Sequence, residues 1–190
     1  MEHKTVGFAM CGSFCTFRAV LDILPEVCGE YEAVIPIMSE ASFHTDTRFG
    51  TANEFCMRLK TLCGHDILHT LAQVEPIGPK KLLDALVVAP CTGNTLAQLA
   101  AGVADGPVTL AVKAHLRNER PVVLAVSTND GLAGNAPSIG TLLTRRHLYF
   151  VPFGQDDAQK KPRSLVADFR RLPQTLRAAL SGEQLQPLLI

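Results

Sequence analysis

The chain has 190 residues, of which 47% are hydrophobic and 19% charged, with 18 basic side chains against 18 acidic ones. That even balance leaves no electrostatic footprint for nucleic acid or anionic headgroups, and no apolar run approaches the roughly 18 residues of a membrane span. The length suits one domain over 1–190, and a positive mean hydropathy points to apolar surface hidden in a large core or by further copies, of which a homo-oligomer is the expectation.

The amino end, Met1-Glu2-His3-Lys4, passes directly into the apolar run Val6-Gly7-Phe8-Ala9-Met10 without an export leader, which predicts a cytoplasmic protein. A helix is expected next, over Phe17 to Leu24. Val34 to Met38 reads as a second strand, and Pro36 within it, having no N–H for a ladder, predicts a bulge or a place near an edge. Thr51-x-x-Glu54 is a capping box that opens a helix over Ala52 to Cys63, with Gly64 as its closing cap. Ala85-Leu86-Val87-Val88-Ala89 is apolar throughout and leads through a polar turn into a helix over Leu96 to Ala101. Val122 to Val126 and Leu148 to Val151 read as further buried strands. A polar loop over Pro152 to Arg163 precedes a last helical stretch that Pro173 is expected to interrupt. This alternation predicts an α/β fold, a doubly wound, mostly parallel sheet in a Rossmann-like three-layer sandwich.

In such a sheet, ligands bind outside the carboxyl ends of the strands, where the βα turns gather. Four turns there carry hydroxyl and amide groups: Cys11-Gly12-Ser13-Phe14, Ser39-Glu40-Ala41-Ser42, Pro90 to Thr95, and Ser127-Thr128-Asn129-Asp130-Gly131. The third, running from strand to helix, puts donors at a helix start, where backbone N–H groups lack partners and the macrodipole favours an anion. No Gly-x-Gly-x-x-Gly and no Gly-Lys-Ser/Thr follows any strand, so a mononucleotide is preferred to NAD or ATP. The six cysteines form no Cys-x-x-Cys pair, which predicts free thiols and no metal site.

Ala89-Pro90-x-x-x-Asn94-Thr95, Ala101-Gly102-Val103-Ala104-Asp105, Pro121 to Ala125 leading to Asn129, and Asn135-x-Pro137 resemble the flavoprotein family of homo-oligomeric flavin-containing cysteine decarboxylases. Its Pro-x-Ser-Ala-Asn-Thr motif stands here as Pro90-Cys91-Thr92-Gly93-Asn94-Thr95. The resemblance implies FMN at a subunit interface, held by Gly12, Ser13, Ser39, Thr92, Gly93, Asn94 and Thr95, in a trimer or a multiple of it. Phe14 and Ser127, in the first and fourth turns, complete the candidate cofactor set. The histidine that the decarboxylases carry before the third strand is replaced by Pro76, and of their Pro-x-Met-Asn-x-x-Met turn only Asn129 remains, which argues against decarboxylation.

Ser42 to Thr51, Glu75-Pro76-Ile77-Gly78-Pro79, Ser127 to Leu132 and Phe150 to Asp157 are similar to the dipicolinate synthase B subunits of spore-forming bacteria. That likeness implies oxidation of a dihydrodipicolinate-type ring to pyridine-2,6-dicarboxylate in the mother cell, alongside an A subunit that carries NAD(P). Other readings are a non-redox subunit that activates the A subunit and a decarboxylase or flavin prenyltransferase relative. Arg48 is the candidate anchor for a small dicarboxylate, because a guanidinium takes a carboxylate bidentately, with pairing to Asp46 as its structural alternative. The amide of Asn129 could donate to flavin or substrate. His44 reads as an exposed loop residue and Cys91 as a turn filler.

Overall fold

A computed structural model describes residues 2–190. The chain runs β1 (Glu2–Met10), α1 (Phe17–Glu30), β2 (Tyr31–Met38), α2 (Glu40–His44), α3 (Ala52–Cys63), α4 (Leu71–Val74), β3 (Ala85–Cys91), α5 (Gly93–Ala101), α6 (Pro107–Leu116) and β4 (Val122–Thr128). It continues through α7 (Ala136–Leu143), β5 (Leu148–Phe150), β6 (Phe153–Gly154), β7 (Leu165–Ala167) and α8 (Leu172–Leu180). The strands form one seven-stranded sheet. Its body is parallel in the order β2-β1-β3-β4-β5, and β7 and β6 continue it antiparallel from the carboxyl end of β4, where Ser127 faces Val166.

β3 is buried at every position, as its unbroken apolar sequence requires of a strand covered on both faces. α1, which packs against both α3 and α8, covers one face with them, and α4 to α7 cover the other. Each fully buried Leu, Val or Phe in this core contributes about 1.5–3 kcal/mol through the apolar area it removes from water. β2 is an edge strand, so Pro36 forfeits no sheet bond there, as its lack of a donor demands. Thr51 and Glu54 close the capping box at the start of α3, and Gly64 ends it with φ 69°.

The loop expected over Pro152 to Arg163 carries the short strand β6 against β7, and two helices differ from expectation. α1 continues past Leu24 and through Pro25 to Glu30, because Leu24 and Val27 extend its buried stripe. Pro173 opens α8 rather than interrupting it, since an N–H in the first helical turn has no intrahelical partner to lose.

His115, on the buried side of α6, has Nε2 3.2 Å from the carbonyl of Pro121. Burial is the main cause that lowers its pKa to about 4, so the ring stays neutral and donates to that carbonyl. Unfolded histidine takes a proton near pH 6.5, so between there and pH 4 the unfolded chain binds one proton more, and stability falls as the pH falls. The loss approaches about 3 kcal/mol at its fullest. Urea unfolding at pH 7.5 and 4.5 should show a larger acid loss for the natural chain than for His115→Gln; equal losses would remove the assignment.

Candidate functional site

The chain leaves β1 towards β2 on one side and leaves β3 towards β4 on the other, so the connections from their carboxyl ends diverge and leave a crevice. A cleft of about 480 Å³ occupies it, walled by the ends of β1 and β3 and the starts of α2, α5 and α6. Five expected residues line it: Gly12, Ser39, Thr92, Asn94 and Thr95. Thr92 caps α5, its hydroxyl accepting from the Thr95 N–H at 3.2 Å, and Ser39 caps α2 in the same way through the Ser42 N–H. Two lining features escape sequence reasoning: the third helix start, Gly106-Pro107, and Gln98, one turn beyond Asn94 on α5. Helical spacing from Asn94 gives Gln98; the aim of α6 has no local signal.

Electrostatically the cleft is uneven. No Lys, Arg or His lines it, and two exposed carboxylates, Glu40 and Asp105, stand at its rim, Asp105 accepting from the Gln98 amide at 3.0 Å. Its positive character comes from three helix starts with partnerless N–H groups. Cys11, the residue after β1, lines the cleft, and burial pushes its thiol up to about 11; burial likewise raises Cys91 well above the ordinary thiol range. Both thiols stay protonated, which suits packing rather than attack.

Behind this wall the remaining expected residues separate. The hydroxyls of Ser13 and Ser127 meet at 2.8 Å, joining the first and fourth turns. Gly93 is buried under the amide of Asn135, which accepts from Thr128 Oγ1 at 2.8 Å and donates from Nδ2 to the Gly93 carbonyl at 3.2 Å. A Cβ on Gly93 would overlap Asn135 Oδ1 and come within 2.7 Å of Thr128 Oγ1, so only glycine allows this approach. Asn135 precedes α7 as its cap residue, yet its side chain does not cap that helix; it holds the start of α5 instead. In the sequence Asn135-x-Pro137 stands only as part of the family likeness, and nothing local reveals this use. Asn129 is exposed in the turn after β4 and does not line the cleft. Phe14 and Arg48 line a neighbouring hollow, and Asp46 does not pair with Arg48 but accepts from the Ala52 N–H at 2.8 Å. Among the described residues no group of three His, Cys, Asp or Glu side chains could hold a metal ion, and no helix is long and apolar enough to cross a membrane.

A mostly parallel α/β sheet with hydroxyl-bearing turns around its switch-point crevice defines a Rossmann-like flavoprotein fold. The Flavoprotein family model matches residues 1–149. The dipicolinate synthase B subunit of Bacillus subtilis (strain 168) is 42% identical over 190 residues, which is 100% of this chain and 95% of that one. The crystal structure of the dipicolinate synthase B subunit from Bacillus halodurans C superposes with a TM-score of 0.90 at 42% identity, covering 98% of this chain and 96% of that one. The FMN-dependent cysteine decarboxylase SpaF shares the fold, with a TM-score of 0.71 at 19% identity over 95% of this chain and 98% of its own. The chain therefore belongs to the Flavoprotein family and, within it, to the dipicolinate synthase B subunits.

Proposed function

We propose that this chain is the flavin-binding subunit of a dipicolinate synthase, an oxidoreductase that forms pyridine-2,6-dicarboxylate from a dihydrodipicolinate-type precursor with an A subunit, for sporulation. The observation that carries the reading is the convergence of three helix starts and the Gly12 turn on one cleft at the switch point. The family points to a flavin, and structural relatives described as FMN-dependent point to FMN.

The donor set fits FMN in kind. A phosphate dianion suits N–H groups at the start of α5, where Thr92 leaves the amides of Gly93 and Asn94 free of its own cap bond. The side-chain amides of Asn94 and Gln98 suit the polar edge of a flat ring, and Gly12 leaves room for close approach. Glu40 and Asp105 oppose an anion, but both are exposed and so largely screened by water and salt. When bound, the flavin supplies two-electron acceptance. Converting the dihydropyridine to the pyridine releases two electrons and two protons, so the protein's share is to bind, orient and exclude water. Thr92, Gly93, Asn94, Thr95, Gly12 and Ser39 would hold the cofactor, and the Ser13–Ser127 pair with Phe14 would fix the turns around it. Arg48 would anchor a substrate carboxylate and Asn129 would approach from the fourth turn. NAD(P) would sit on the A subunit, this chain would act as one domain over 1–190, and it would assemble as a homo-oligomer in the cytoplasm of the mother cell.

One feature favours a second reading, a protein that binds and activates the A subunit without redox chemistry: the cleft lining holds two carboxylates and no cation. Mixing the purified chain with the A subunit, with and without FMN, separates the two. Pyridine-2,6-dicarboxylate formation that depends on FMN, together with a flavin band bleached by substrate, is the expected result. Colourless protein that stimulates the A subunit equally with and without FMN would overturn it.

A further inference from the structure

The second hollow adjoins the first turn, next in the chain to the residues that line the cofactor cleft. It holds about 170 Å³ and is lined by Phe14, Cys15, Arg18, Arg48 and Phe49. Phe14 connects the two sites, because its ring stands 3.4 Å from where a Cβ on Gly12 would be, and Gly12 lines the cleft. Arg18 follows Phe14 by four residues, so it sits on the same side of the segment that leads into α1. Its Nη2 is 3.5 Å from the carbonyl of Phe49, while the guanidinium of Arg48 stands 4.9 Å from the centre of the Phe49 ring.

Two guanidinium groups thus face one small hollow with two aromatic rings, and no carboxylate lines it. The carboxylates nearby are engaged elsewhere. Asp46 accepts from the Ala52 N–H, and Glu54 accepts from the Thr51 N–H at 2.8 Å in the capping box. Among the described residues neither Arg18 nor Arg48 forms an ion pair. Glu54 stands within electrostatic reach of Arg18 without pairing with it, so two guanidiniums against one engaged carboxylate leave the hollow net positive and favour an anion there. The rings add a preference for a flat ligand, since a planar face packs on Phe14 and Phe49 while its edge carries the charge.

We infer that this hollow is the carboxylate-recognition site of the chain, with Arg18 joining Arg48 as the second anchor for a planar dicarboxylate. The inference rests on the proposed function for its place beside a flavin, but not for the binding itself. Arg18 contacts substrate in this assignment and takes no part in electron transfer.

Calorimetric titration of the full chain with pyridine-2,6-dicarboxylate and with benzene-1,3-dicarboxylate tests it. Each of Arg18→Gln and Arg48→Gln should weaken binding roughly tenfold or more, because each removes a charge-assisted pair with a carboxylate. Arg18→Lys should restore only part of the loss, because an ammonium cannot pair bidentately. Both arginines are exposed, so unfolding curves of the variants should coincide with that of the natural chain. No binding by the natural chain, equal affinity in the variants, or equally tight binding of inorganic phosphate would each overturn the inference. Flavin content measured on the same samples keeps the two claims apart. Arginine-dependent dicarboxylate binding by a chain that takes no FMN would leave the hollow standing and the flavin role lost. FMN binding with arginine-independent dicarboxylate affinity would do the reverse.

Discussion

Gly93→Ala should destabilise the protein by about 2–4 kcal/mol and lower its thermal midpoint by roughly 5–10 °C. Helix propensity alone predicts the opposite sign, since alanine is favoured over glycine inside a helix by up to about 1 kcal/mol. The difference lies in what a Cβ would meet: Asn135 Oδ1 occupies its place, and Thr128 Oγ1 is 2.7 Å away. To make room, the Asn135 amide must give up both its bonds, the one from Thr128 and the one to the Gly93 carbonyl. Because that amide fixes the start of α5, FMN binding should weaken by at least roughly tenfold, the equivalent of losing one favourable contact of about 1.4 kcal/mol. A double-mutant cycle identifies the cause. In an Asn135→Ala background the larger obstruction is gone and only the approach to Thr128 Oγ1 remains, so the Gly93→Ala penalty should shrink. Strict additivity would show that the contact is not what makes Gly93 necessary.

Phe17→Ala should be the most damaging single core truncation near the site, at about 3–5 kcal/mol. Phe17 is fully buried, with its ring centre 5.1 Å from that of Phe14 and 5.0 Å from that of Phe55, the latter edge-on at 82°. It therefore ties the first turn to α3, and the loss reaches function through Phe14, which rests against Gly12 on one side and lines the arginine hollow on the other. Ligand affinity at both sites should fall before the fold is lost. Phe17→Leu keeps most of the volume and should cost less than about 1.5 kcal/mol. Urea unfolding of both variants checks this; an alanine variant within about 1 kcal/mol of the natural chain would contradict the packing described.

Local signals carry most of the fold. Thr51, Glu54 and Gly64 set the bounds of α3 because a capping box and a left-handed cap are short-range chemistry. The apolar run from Ala85 marks the central strand, and Pro36 marks an edge, because each states directly what its backbone can bond or bury. Pro173 misleads because nothing at Arg171, whose side chain makes no cap bond, signals a helix start. In the site, Thr92 and Ser39 are legible as caps following strands. Asn135 is not, since its partners lie 7 and 42 residues away. The pairing of Arg18 with Arg48 is equally invisible, as it depends on how α1 meets the loop after α2.

Titration of the flavin-free chain with FMN and, separately, with riboflavin tests the central claim most directly. If the crevice between β1 and β3 holds a phosphate at the start of α5, FMN should bind at one site per chain and at least roughly tenfold more tightly than riboflavin, the equivalent of about 1.4 kcal/mol or more. Equal affinity for the two, or no binding of either, would contradict it.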